Sequence, residues 1–131
     1  MSRSAASSRD VTAAGSPVQG SSLVTRASVT ALAQATTRLR LGTLVTGIHY
    51  RHPAVLANMA AAVDIISNGR LELGIGAGWN EDESGAYGIE LGSIKERFDR
   101  FAEACQVLTS LLSQETTDFN GRYYQTQGRA Q

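Results

Sequence analysis

The chain has one cysteine, Cys105, only two histidines and no excess of either charge, since Lys plus Arg and Asp plus Glu both count 12 among 131 residues. A lone cysteine excludes an internal disulfide and any metal site built on several thiolates, which fits a reducing compartment. Balanced charge gives no electrostatic reason to expect nucleic acid or an anionic membrane as a partner. His49 and His52 stand three apart with Pro53 directly behind and no third ligand near, so no metal site is expected. No apolar run approaches the roughly 18 residues of a membrane span, and the N-terminus lacks the apolar segment of a secretory signal. The expectation is a soluble, cytoplasmic protein.

Residues 1–22 are rich in serine, with isolated valines at Val11 and Val18 and no period that could bury a face. Disorder is expected there, and a folded domain over 23–131. The alanine-rich stretch from Leu23 places Val29, Leu32 and Ala33 at helical spacing and predicts a helix to about Thr37. Leu39 to Val45 is a short, nearly continuous apolar run, which suits a strand buried on both faces. His52-Pro53 then marks a helix start, where proline's missing N–H would have had no partner anyway. Val55, Leu56, Met59, Ala60, Val63 and Ile66 recur at three- and four-residue steps, until Asn68-Gly69 supplies a left-handed stop. A second apolar strand, Arg70 to Gly78, follows directly. Strand, helix, strand within so short a span closes most naturally as a right-handed βαβ unit with parallel strands.

Ser93 and Glu96 form a capping-box pattern ahead of an apolar stripe of Phe98, Phe101, Ala102, Cys105, Leu108 and Leu112. Cys105 reads as a packed small residue, and Glu96 and Arg100 as an i,i+4 pair. Asn120-Gly121 between aromatic and polar residues signals a short hairpin. The βαβα order gives an α/β fold, in which ligands sit beyond the carboxyl ends of the strands. Two segments therefore carry the function: Leu44 to His52, and Gly76 to Glu83.

The second begins with Gly74, Gly76 and Gly78 at alternate positions. A dinucleotide fingerprint would need its glycines to run straight into a helix that receives pyrophosphate, but Glu81, Asp82 and Glu83 follow and would repel it. An S-adenosylmethionine-dependent methyltransferase motif matches the string Glu72 to Gly78 better. Its surroundings do not fit, because glycines rather than a prompt helix come next. The third reading is a barrel strand whose glycines let backbone approach a planar ring, with the acidic run as a solvated loop.

The strings RHPAVLA, GRLELGIGAGWNE and ERFDR together resemble the luciferase-like monooxygenase superfamily, most of all its deazaflavin (coenzyme F420)-dependent oxidoreductases, from about Leu23 to Gly128. The resemblance implies part of a (β/α)8 TIM barrel, whose cofactor and catalytic groups gather at the C-terminal face of the strands. It implies a third strand ending in a bulge against the ring, often with a non-proline cis peptide, which falls on Leu44-Val45 beside Thr46 and Gly47. After the fourth strand it implies cofactor contacts at Ala77, Gly78 and Asn80. Trp79 is then placed to wall the ring or a small-molecule substrate, and His49 to reach into the same pocket. Relatives acting on sugar phosphates carry a catalytic glutamate where this chain has Trp79, which argues against that activity. The implied chemistry is hydride transfer with F420, or with FMN as the alternative.

A whole barrel of this kind takes about 250 residues. The family's first two strands have no counterpart before Leu23, and its later strands and phosphate-binding loop none after Gly128. A partial member, inactive alone and with barrel edges open to pairing with other chains, is therefore the second expectation.

Overall fold

The computed structural model describes residues 22–128, with side chains from Ser28 onward, so the serine-rich segment and its expected disorder lie outside the described residues. Helix α1 spans Ser22–Ala35, within two residues of the predicted end. Strands β1 (Leu41–Gly42) and β2 (Thr46–Gly47) lead through a single 3-10 turn, Ile48–Tyr50, into α2 (Pro53–Ser67). Then come β3 (Leu71–Glu72), β4 (Ile75–Gly76), α3 (Glu81–Ala86) and α4 (Ile94–Ser113). A hairpin of β5 (Phe119–Asn120) and β6 (Gln125–Thr126) closes the order, as Asn120-Gly121 predicts.

The two apolar runs pair in parallel, as expected of a βαβ unit. They do not form one continuous ladder. Leu41 faces Leu71 but Thr46 faces Ile75, so the pairing offset changes by one residue across Thr43–Val45. That extra residue is a bulge, and the Leu44–Val45 peptide within it is cis. The expectation that Leu39–Val45 is buried on both faces is corrected here: Leu44 is 100% exposed and Val45 47% exposed, and Leu39 is also exposed. The bulge turns Leu44 wholly out of the sheet and lays Val45, half exposed, over Gly74 and Gly76.

Side chains alternate along a strand, so Leu71, Leu73 and Ile75 share one face and Glu72, Gly74 and Gly76 the other. The leucine face is the packed one. Leu71 joins Val29, Ala33 and Leu41; Leu73 and Ile75 join Leu56, Ala57 and Leu108; and Ile75 also meets Ile48 and Val107. Both caps of α2 follow the sequence. His52 Nδ1 accepts from Ala54 N at 3.1 Å, and Asn68 ends the helix in the left-handed conformation (φ 58°). The Ser93–Glu96 capping box of α4 is also present.

Three expectations for the helices need revision. Helix α4 buries Ala104, Val107 and Leu108, while Phe98, Ala102 and Leu112 are exposed, so its packed face is rotated from the predicted stripe toward Leu111. Cys105 is half-buried at the margin of that face, and burial pushes its thiol pKa up. Glu96 is engaged by Ser93, and the i,i+4 ion pair of this helix is Lys95–Asp99 at 2.5 Å. The acidic run is not a loop but the first turn of α3. Asn80 Oδ1 accepts from Glu83 N at 3.1 Å as its N-cap, and three carboxylates at a helix N-terminus are favoured by its dipole.

Arg70 holds the α1–strand junction together. Its guanidinium donates to Ala33 O (2.8 Å) and Thr36 O (2.9 Å) at the end of α1, to Ser67 O (2.6 Å) at the end of α2, and to Leu39 O (2.7 Å) in the connection to β1. Glu103 of α4 binds the hairpin in the same manner, accepting from the backbone N–H groups of Arg122 and Tyr123 at 2.8 Å and of Tyr124 at 3.2 Å. Burial would raise the pKa of its carboxyl, but these three donors outweigh that and hold it below the usual range. Among the described residues, no helix is long and apolar enough to cross a membrane.

Candidate cofactor site at the strand ends

The carboxyl ends of β2 and β4 lie side by side, because Thr46 pairs with Ile75 and Gly47 with Gly76. The loops that leave them enclose a cavity of about 320 Å³. Val45, Gly47 and His49 line it from the first loop, and Ala77, Gly78, Trp79 and Asn80 from the second. Seven of the nine residues singled out from the sequence thus meet in one place. Leu44 and Thr46 do not line it: Leu44 points wholly outward, and Thr46 is fully buried beneath.

The alternate glycines have a concrete structural role. Thr43 donates from Oγ1 to Gly74 O at 2.7 Å, and Thr46 N donates to the same carbonyl at 2.9 Å, which pins the bulge over the partner strand. A Cβ on Gly74 would run into the Thr43 carbonyl oxygen, and one on Gly76 would stand 2.8 Å from Val45 Cγ2. Gly78 has φ +93°, and a Cβ there would lie 2.5 Å from His49 Nδ1 and 2.8 Å from Leu91 Cδ2. The ladder therefore clears space first for the bulge and for the His49 ring.

His49 sits in the 3-10 turn with Nε2 3.3 Å from Ser84 Oγ, while Nδ1 is buried without a hydrogen-bond partner among the described residues. Burial lowers its pKa below the ordinary 6.5; Glu83 opposes this, and Arg100 and Arg97 reinforce it. The folded chain therefore takes up a proton on His49 less readily than the unfolded chain. The associated stability is complete above about pH 6.5 and is lost as pH falls from there through the lowered folded value. Urea midpoints measured between pH 7.5 and 5.5 are expected to fall more steeply for the wild type than for His49→Gln; equal slopes would contradict this assignment.

Tyr50 and Glu83 also line the cavity; both lie within the two segments marked by the sequence, though neither is singled out there. Burial and the neighbouring Glu83 carboxylate push the Tyr50 hydroxyl up to about 12. Among the described residues, buried Glu83 Oε1 has no hydrogen-bond partner. The pattern Asn80-x-x-Glu83 is the local signal that could have revealed a helix start and turned Glu83 inward. Trp79 is 82% exposed at the rim, so packing within the chain does not account for it. Arg97 steadies the rim from α4, donating to Glu81 Oε1 at 2.6 Å and to Gly92 O at 3.0 Å.

Residues 16–131 match the model of the family described as luciferase-like monooxygenase. The chain belongs to that family. Among curated proteins it is 36% identical over 96 residues to the F420-dependent glucose-6-phosphate dehydrogenase of Amycolatopsis mediterranei (strain U-32), covering 72% of this chain and 29% of that protein. To the enzyme of the same name from Rhodococcus hoagii (strain 103S) it is 40% identical over 103 residues, covering 76% of this chain and 30% of the other. Among solved structures it superposes on monooxygenase RslO1 from Streptomyces bottropensis with a TM-score of 0.70 and 32% identity, covering 79% of this chain and 30% of that one. The coenzyme F420-dependent tetrahydromethanopterin reductase of Methanopyrus kandleri shares the fold, with a TM-score of 0.69 at 24% identity, over 78% of this chain and 32% of its own. This luciferase-like chain is part of a TIM barrel and spans about 30% of the length of these relatives.

Proposed function

We propose that the loops after β2 and β4 form one wall of the cofactor pocket of a luciferase-like oxidoreductase. The cofactor is F420, with FMN as the alternative, and the substrate is a small organic molecule. The observation that carries this is the outward bulge at Val45, laid over Gly74 and Gly76 at the carboxyl ends of two parallel strands. A planar ring system needs a flat, largely apolar surface with accessible backbone, and this wall offers Val45 side-chain surface beside the partly exposed backbone of Ala77 and Gly78, with Gly47 buried behind the His49 ring. Those residues would hold the ring, which when bound supplies the site at which hydride is gained or lost. The chain's own contribution is orientation and exclusion of water. Trp79 and His49 border the space left for substrate, and Asn80 fixes the second loop by capping α3.

Relatives named for glucose-6-phosphate do not bring that substrate to this chain. Trp79 occupies the position where sugar-phosphate members are expected to carry glutamate, which supports a substrate without a sugar phosphate. For the chain by itself a second reading is favoured by its coverage of about 30% of its relatives: it lacks most of the barrel that would enclose a cofactor. Fluorescence titration with F420 and with FMN is therefore expected to show weak quenching and no turnover. Tight stoichiometric binding with turnover would contradict the need for further barrel strands.

A further inference from the structure

A larger cavity, of about 520 Å³, lies on the helix-facing side of the strands, between α1 and α2. Its lining is aliphatic: Val29, Leu56, Val63, Ile66, Leu71 and Leu73 contribute most of the wall. Among the described residues that line it, Arg51 is the only charged one. Both Nη1 and Nη2 of its guanidinium are buried and have no hydrogen-bond partner among the described residues. Arg70 shows how this fold treats a guanidinium it satisfies internally, with four backbone carbonyls around it. Arg51 has none. A buried cation without an acceptor is strongly unfavourable, and burial lowers its pKa without making it neutral.

Arg51 follows the 3-10 turn that carries His49, yet lines a cavity that shares no residue with the one beside Trp79. The proposal is thus independent of the cofactor reading. A planar guanidinium whose Nη1 and Nη2 both lack an acceptor matches a carboxylate in bidentate fashion, while the aliphatic wall excludes a ligand that is polar throughout. The volume lies within the range of roughly 300–1,000 Å³ typical of small-molecule sites. We propose that this cavity binds an amphipathic monocarboxylate, its head on Arg51 and its alkyl tail along Leu56, Val63, Leu71 and Leu73.

The test uses decanoate, decan-1-ol and decylammonium, each below its aggregation concentration, in calorimetric titrations and methyl NMR on the whole chain. Decanoate is expected to bind at one site and to shift the methyl signals of Leu56, Val63 and Leu71. Decan-1-ol should bind on the order of ten- to a hundred-fold more weakly, because it cannot neutralise the guanidinium, and decylammonium should not bind. Arg51→Met is expected to bring decanoate down to the affinity of the alcohol, and Arg51→Lys to keep the preference for decanoate. Should Arg51→Met fail to fold by circular dichroism, the wild-type ratio of decanoate to decan-1-ol and the Arg51→Lys variant decide. Equal affinity for acid and alcohol, no binding of decanoate, or shifts confined to Ile65 and Leu112 in the groove between α2 and α4 would each overturn the proposal.

Discussion

Arg70→Met is expected to destabilise the chain by about 3 kcal/mol, as much as emptying the site of a buried core side chain. Arg70 donates to carbonyls at Ala33, Thr36 and Leu39, more than 30 residues away in sequence, and to Ser67 at the end of α2. Its removal leaves several carbonyls at two helix ends without partners, each of which then depends on water reaching it. Methionine keeps much of the stem's packing, so the change isolates the guanidinium. Lysine should recover only a fraction, since a point charge cannot serve acceptors spread over a planar fork. Urea unfolding measures the effect, and a change within about 0.5 kcal/mol would show that these bonds are replaced by water at no cost.

Gly78→Ala is expected to cost about 3 kcal/mol and to disturb the candidate site as well. Two causes add. The residue has φ +93°, which an L side chain tolerates poorly, and the new methyl would stand 2.5 Å from His49 Nδ1 and 2.8 Å from Leu91 Cδ2. Gly69→Ala is the control, because Gly69 has φ +74° but open space around the Cβ position. It should lose only the backbone term, about 1 kcal/mol. The His49 ring resonances should move in Gly78→Ala and stay in place in Gly69→Ala. Equal stability losses in the two variants would mean that the His49 ring does not press on the loop.

What the sequence revealed and what it hid separate by distance along the chain. The Ser93–Glu96 box, the His52–Pro53 start, the Asn68 stop and the Asn120-Gly121 hairpin each lie within a few residues, and each formed as expected. Their physics is local. The bulge was different, since residues Leu39 to Val45 read by composition as one buried strand, and only the change of register against Leu71–Ile75 exposes Leu44 and Val45. Arg70 and Glu103 gave no signal at all, because their acceptors and donors are backbone groups brought near by the fold, and backbone leaves no mark in a sequence. The packed face of α4 was misjudged for a related reason. A helix with apolar residues on several sides can bury more than one stripe; here Leu56 and Ala57 of α2 select Leu108, and Ile48 with Tyr124 of the hairpin segment selects Ala104 and Val107. For the candidate site, the glycine ladder lies beside the cavity at the strand ends, but the sequence did not show what the glycines accommodate, which is first the bulge and His49.

The cofactor wall is tested most directly by backbone NMR of the uniformly labelled chain during titration with F420 and with FMN. Signals of Thr43–His49 and Gly76–Asn80 should shift together in fast exchange, more strongly with F420, while those of α4 and the β5–β6 hairpin stay in place. Shifts confined to other parts of the chain, or none at millimolar cofactor, would show that the bulge and the glycine strand do not receive the ring.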